Sequence, residues 1–174
     1  PTEEEGWEGR AAVTAVIEPV DGGGKLAVCC THLTEKQIGE NGQKQCEMIE
    51  SLLAGTLSDP RFARLPVVLC GDFNINNVSE MPAESAVFCN SSPFLHPHAD
   101  YDPYTRLAAA GFTSAQLYAQ QEDAALDTCW NAGCVDYNGC RGAARPLAIG
   151  ILDPTHDGYV LSDHRWPVVV YSCL

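Results

Sequence analysis

Three short polar signatures carry the residue types that hydrolysis needs: Thr31-His32-Leu33, Gly71-Asp72-Phe73-Asn74 and Ser162-Asp163-His164. Each follows an apolar run. Histidine can act as acid or base near neutral pH. Aspartate can position or deprotonate a water, or hold a hard cation through oxygen. Asparagine can orient a phosphate oxygen with its amide donors. No Ser or Cys stands in the local context of a covalent nucleophile, so the set points to attack by an activated water. In an extended chain, side chains at i and i+2 share a face. Asp72 and Asn74 are therefore expected to point together into a cleft at a strand's end. Alone, the same residues also read as turn punctuation.

These signatures must be held by strands. Pro66-Val67-Val68-Leu69-Cys70 is a short apolar run bounded by a proline and a glycine, as in a buried strand. Residues 10–18 and 25–30 read as two strands joined by the turn Asp21-Gly22-Gly23-Gly24. A helix is expected over 41–57, with Gln45, Ile49, Leu52, Leu53 and Thr56 on its inner face and Ser58-Asp59-Pro60 as its stop. Strand, helix, strand is the crossover unit of an α/β layer fold. Residues 76–102 form a long polar loop, in which His96 and His98 read as solvated side chains, with metal ligation as the lesser reading. A short helix over 104–110 ends at Gly111. Strands follow over 146–152 and 167–171, the last expected to be buried.

The chain has 174 residues, enough for one domain with a sizeable core. No window approaches the apolar length of a transmembrane helix. With 23 acidic and 10 basic residues, the net charge of −13 gives no general grip on a nucleic-acid backbone. It leaves a phosphate substrate open, because divalent cations invert the local field. Cys129, Cys134 and Cys140 lie close together in a Gly- and Asn-containing stretch, among nine cysteines. This suggests a disulfide-stapled loop and a secreted or otherwise oxidising compartment. Cys29, Cys30 and Cys70 instead sit in strand-like runs, where cysteine behaves as a small hydrophobe.

In this order, the motifs THL, GDFN and SDH resemble the endonuclease/exonuclease/phosphatase superfamily, which includes deoxyribonuclease I-like nucleases, neutral sphingomyelinases and inositol-phosphate phosphatases. Arg10, Gln45 and the Leu107…Gly111-Phe112 helix end support the likeness. It takes in nearly all of residues 1–174 and corresponds to the C-terminal half of the family domain. The implied fold is α/β: half of a four-layer α/β-β/α sandwich, with a mixed, mainly antiparallel sheet and flanking helices. The implied activity is metal-dependent hydrolysis of phosphate esters, most naturally by a phosphodiesterase.

Carried over by motif, Asp72 would act on the attacking water and Asn74 on the phosphate. His164 would contact the phosphate and share in proton transfer, and His32 would stabilise developing charge or assist the leaving group. Asp163, with Asp72 and Asn74, would face the metal, Mg2+ or Mn2+. An acid that orients the histidine is expected at Asp127, in Leu126-Asp127-Thr128-Cys129-Trp130, with Asp136 in Val135-Asp136-Tyr137 as its rival. The family's N-terminal half supplies an Asn and the metal-anchoring Glu. Neither motif occurs here, and Glu3, Glu4, Glu5 and Glu8 do not replace that Glu. After SDH the chain reads Arg165-Trp166-Pro167-Val168, one residue longer than the family's usual pattern. The acidic charge and the cysteines favour a lipid or small phosphate ester over a polynucleotide. The alternative is a truncated or non-catalytic module that binds a partner or phosphate without turnover. A half-domain is also expected to leave one apolar sheet face open.

Overall fold

The computed structural model describes residues 10–35, 42–76, 98, 100–115, 128 and 134–173. Its organising element is a five-stranded sheet in the order β1-β2-β3-β5-β4. The strands are β1 (Ala12–Ile17), β2 (Leu26–Thr31), β3 (Val67–Asp72), β4 (Thr113–Ser114) and β5 (Asp136–Arg141). β2 and β3 run parallel, with helix α1 (Gln43–Ala54) in the connection between them; the other pairings are antiparallel. The expected crossover unit is thus present, in a sheet that is mixed and mainly antiparallel.

Alternation along β2 and β3 assigns residues to faces. Ala27 and Cys29 of β2, with Val67 and Leu69 of β3, meet Ile49 and Leu52 of α1 in one continuous core. The second helix, α2 (Pro103–Ala109), adds Tyr104 and Leu107 to that core. Asp102 caps it: its Oδ1 accepts from Tyr104 N at 2.9 Å, and its Oδ2 accepts from Thr105 Oγ1 at 2.8 Å. Gln45 and Ile49 of α1 are fully buried as the helical spacing implies, while Leu53 and Thr56 are half-buried.

The opposite face of the sheet is different. Val68, Cys140 and Ala144 form a small cluster there with Leu26, Val28 and Tyr171. Toward β1 it opens: Val13 is 70 % exposed and Ile17 51 %. Tyr171 belongs to a long ribbon formed by β6 (Ala144–Leu152) and β9 (Trp166–Cys173). Contrary to expectation, β9 is not buried, because Trp166, Val168 and Val170 are exposed. A shorter hairpin pairs β7 (Thr155–His156) with β8 (Tyr159–Val160). β5 is a further correction. Residues 136–141 had read as part of a stapled loop, yet they fill a central place between β3 and β4. There the Cys140 thiol donates to the Ala144 carbonyl at 3.2 Å. Among the described residues, no helix is long and apolar enough to cross a membrane.

Candidate active site

The motifs converge at one end of the sheet. β2 and β3 are pressed together where they end: Gly71 has φ 147°, and a Cβ there would lie 1.7 Å from the Thr31 carbonyl oxygen. Only glycine fits such an approach. One residue on, Leu33 N donates to Asp72 O at 2.9 Å, joining the His32 loop to the end of β3.

Asp72 and Asn74 do meet at this point, but by a different device from a continued strand. β3 stops at Asp72, whose Oδ1 accepts from Asn74 N at 2.7 Å. Asn74 then adopts φ 53°, a left-handed conformation that Asn tolerates better than most residues. Between them Phe73 is fully buried and stacks on Tyr137 and Tyr104, with centroids 5.0 and 5.5 Å away. The turn is therefore anchored from beneath by an aromatic cluster.

His32 lies on one side of Asp72. Its Nε2 is 2.9 Å from Asn74 Nδ2 and 3.4 Å from Asp72 Oδ2, and its Nδ1 is 2.9 Å from Arg10 Nη1. A guanidinium and an amide NH2 can only donate, so each ring nitrogen of His32 faces a donor, Arg10 at Nδ1 and Asn74 at Nε2. The Asn74 amide also donates to Leu33 O at 3.0 Å. Behind this loop the buried Gln45 donates through Nε2 to Thr34 O at 2.9 Å, tying the residues after His32 to α1.

His164 lies on the other side, with Nε2 3.7 Å from Asp72 Oδ2. Its Nδ1 is 2.8 Å from Asp136 Oδ2. Burial alone would lower the His164 pKa, but the Asp136 hydrogen bond and the charges of Asp136, Asp72 and Asp163 outweigh it and raise the value. Burial likewise raises Asp136 above the usual carboxylate range, against the lowering effect of its hydrogen bonds to His164 and Thr128.

The acid hydrogen-bonded to His164 among the described residues is Asp136, the residue ranked second on sequence. Asp127, ranked first, lies outside the described residues. The signal that could have found Asp136 is its place as the first residue of a strand paired directly with β3, Asp72 opposite Asp136. Two positioning residues escaped sequence reasoning altogether. Thr128 accepts through Oγ1 from Val135 N and Asp136 N, while its carbonyl accepts from Arg165 N at 2.8 Å. It thereby clamps the start of β5 to the loop that carries His164. Asn76 Oδ1 accepts from Cys134 N at 2.9 Å and ties the chain after β3 to the same place.

One oxygen or nitrogen from each of Asp72, Asp136 and His164 lies within 4.8 Å of the others, the grouping that could hold a cation among the described residues. Asp163 is exposed and outside it. Asp72 Oδ1 is engaged by Asn74 N and Asp136 Oδ2 by His164, while Asp72 Oδ2 faces the two imidazoles. A carboxylate oxygen suits a hard cation that keeps most of its shell as water and substrate oxygen.

No protein-family model and no curated protein matches the sequence. Solved structures do. An endonuclease/exonuclease/phosphatase from Beutenbergia cavernae matches with TM-score 0.63 and 20 % identity, over 94 % of this chain and 39 % of its own. The Bacteroides thetaiotaomicron mannosyl-6-phosphatase gives TM-score 0.62 and 17 % identity, over 96 % and 60 %. D. rerio TDP2 complexed with single-strand DNA product gives 0.58 and 16 %, over 94 % and 62 %. The chain has the α/β fold of the endonuclease/exonuclease/phosphatase structures, and it spans about half the length of those it matches.

Proposed function

We propose that this chain carries part of the active site of a phosphoesterase that uses an activated water. The observation that carries the reading is Asp72 Oδ2 lying between two imidazoles, 3.4 Å from His32 Nε2 and 3.7 Å from His164 Nε2, with Asp136 behind His164. Asp72 positions the water and takes up its proton as it attacks phosphorus. His164, which Asp136 biases toward its charged form, contacts a phosphate oxygen and exchanges a proton there. His32, set beside Asp72 by Arg10 and Asn74, stabilises charge developing on the phosphoryl oxygens or assists the leaving group. A magnesium or manganese ion would be held near Asp72, which would reach it through the attacking water, with Asp163 and Asn74 as further candidates. It would supply charge stabilisation on the phosphate.

Residues 1–174 are taken as the C-terminal half of such a domain. The remaining cleft, including a metal-anchoring Glu, would then come from a half absent from this sequence. The −13 charge favours a lipid or small phosphate ester over a polynucleotide.

The test is hydrolysis of bis(p-nitrophenyl) phosphate by the longest natural product that contains these residues, with magnesium, with manganese and with chelator. Turnover that requires a divalent cation and is lost in H164A is expected. Phosphate binding without turnover under every condition would favour a non-catalytic module.

A further inference from the structure

Two thiols beside the site have no part in the chemistry above. Cys30 and Cys70 are direct register partners across the parallel pair β2–β3. Each immediately precedes the pinch of Thr31 against Gly71, where the two backbones come closest. Neighbouring strands lie about 4.8 Å apart, within the Cα separation of roughly 4.4–6.8 Å that a disulfide spans. Both side chains point to the open face of the sheet, the face of Val28 and Val68. Cys30 is exposed and Cys70 half-buried. The sulfurs interact: burial, and then the charge and hydrogen bond of Cys30, push the Cys70 thiol up to about 12.

The other cysteines nearby are excluded by position. Cys29 is buried on the helix-covered face. Cys140 pairs with Val68 rather than Cys70, which makes it a diagonal neighbour, about 7–8 Å away.

We propose that Cys30 and Cys70 form a redox-active pair that closes to a disulfide, with a low-molecular-weight disulfide such as oxidised glutathione as co-reactant. The Cys30 thiolate attacks one sulfur of that disulfide, forming a mixed disulfide and expelling one thiolate. The Cys70 sulfur then attacks Cys30 Sγ, forming the Cys30–Cys70 bond and expelling the second thiolate, which takes up the Cys70 proton. The protein loses two protons and two electrons, and the oxidant becomes two thiols. The bond links β2 and β3 two residues before His32 and two before Asp72, so it acts on the spacing of the strand ends that bear the site. The pair stands on its own geometry and does not depend on the phosphoesterase reading.

The test is to equilibrate the natively folded chain with glutathione buffers of increasing oxidised fraction, quench with acid, alkylate and map the peptides by mass spectrometry. The expected result is the loss of two alkylatable thiols, a Cys30–Cys70 linked peptide, its reversal by dithiothreitol, and its absence in C30S. Since Cys30 is exposed, C30S is expected to keep its native near-UV circular dichroism. A Cys70 that stays fully alkylatable in oxidised buffer, or one linked to a different cysteine, overturns the proposal.

Discussion

On one side of Asp72, at the end of β2, His32 turns Nδ1 to a guanidinium; on the other, before β9, His164 turns Nδ1 to a carboxylate. The His32 side chain is 52 % exposed and that of His164 27 %. Arg10 presents a donor to His32 Nδ1, and the Asn74 amide presents another to Nε2. Asp136 instead favours a second proton on His164 and fixes its ring. The same side chain thereby meets opposite surroundings on the two sides of one carboxylate, donors around His32 and an acceptor behind His164. What separates them is the residue behind each ring.

The comparison can be broken by removing each side in turn. His164→Ala should cost the most, about 10²–10⁴-fold in kcat/KM on an activated phosphodiester, because it deletes the proton-exchanging group. Asp136→Asn keeps the shape and removes the charge. It should cost about 10²-fold and shift the His164-dependent limb of the pH–rate profile to lower pH, with KM little changed; an unmoved limb would mean that Asp136 only packs. Arg10→Gln should cost about tenfold, as one charge-assisted hydrogen bond is worth roughly 1.5 kcal/mol. It should also leave the His164 limb where it is.

The smallest effect concerns stability. The His164 pKa is raised above its ordinary 6.5 in the folded state, so its contribution is full below that value and is lost as pH rises through the folded value. Asp136 is also raised, above an ordinary 3.8, so stability again declines as pH climbs past that value. Urea unfolding in chelator should therefore give a lower midpoint at pH 8.5 than at pH 6 for the wild type. The difference should shrink in His164→Ala.

The sequence makes the two histidine loops and the GDFN turn legible because each joins an apolar run to polar residues of distinct chemistry. The parallel β2–α1–β3 unit is readable for the same reason, since Ile49 and Leu52 fall at helical spacing. β5 was hidden because Asp136, Asn138 and Gly139 are turn formers by composition. Only their pairing with β3 makes them a strand. That same register sets Asp136 opposite Asp72, where it meets His164. Asn74 misled in its geometry, because a left-handed residue after an Asx turn brings two side chains together as an extended chain would. The exposure of β9 follows from packing, which an apolar pattern alone does not specify. Val168 and Val170 read as core, and no described residue covers them.

The most direct measurement is kcat/KM for bis(p-nitrophenyl) phosphate, with saturating magnesium, for Asp72→Asn against wild type in the longest natural product that contains both motifs. Asparagine preserves the turn to Asn74 but cannot take the water's proton. A loss of about 10³-fold or more, with the fold intact by circular dichroism, is predicted. Activity within a few-fold of wild type would contradict the account.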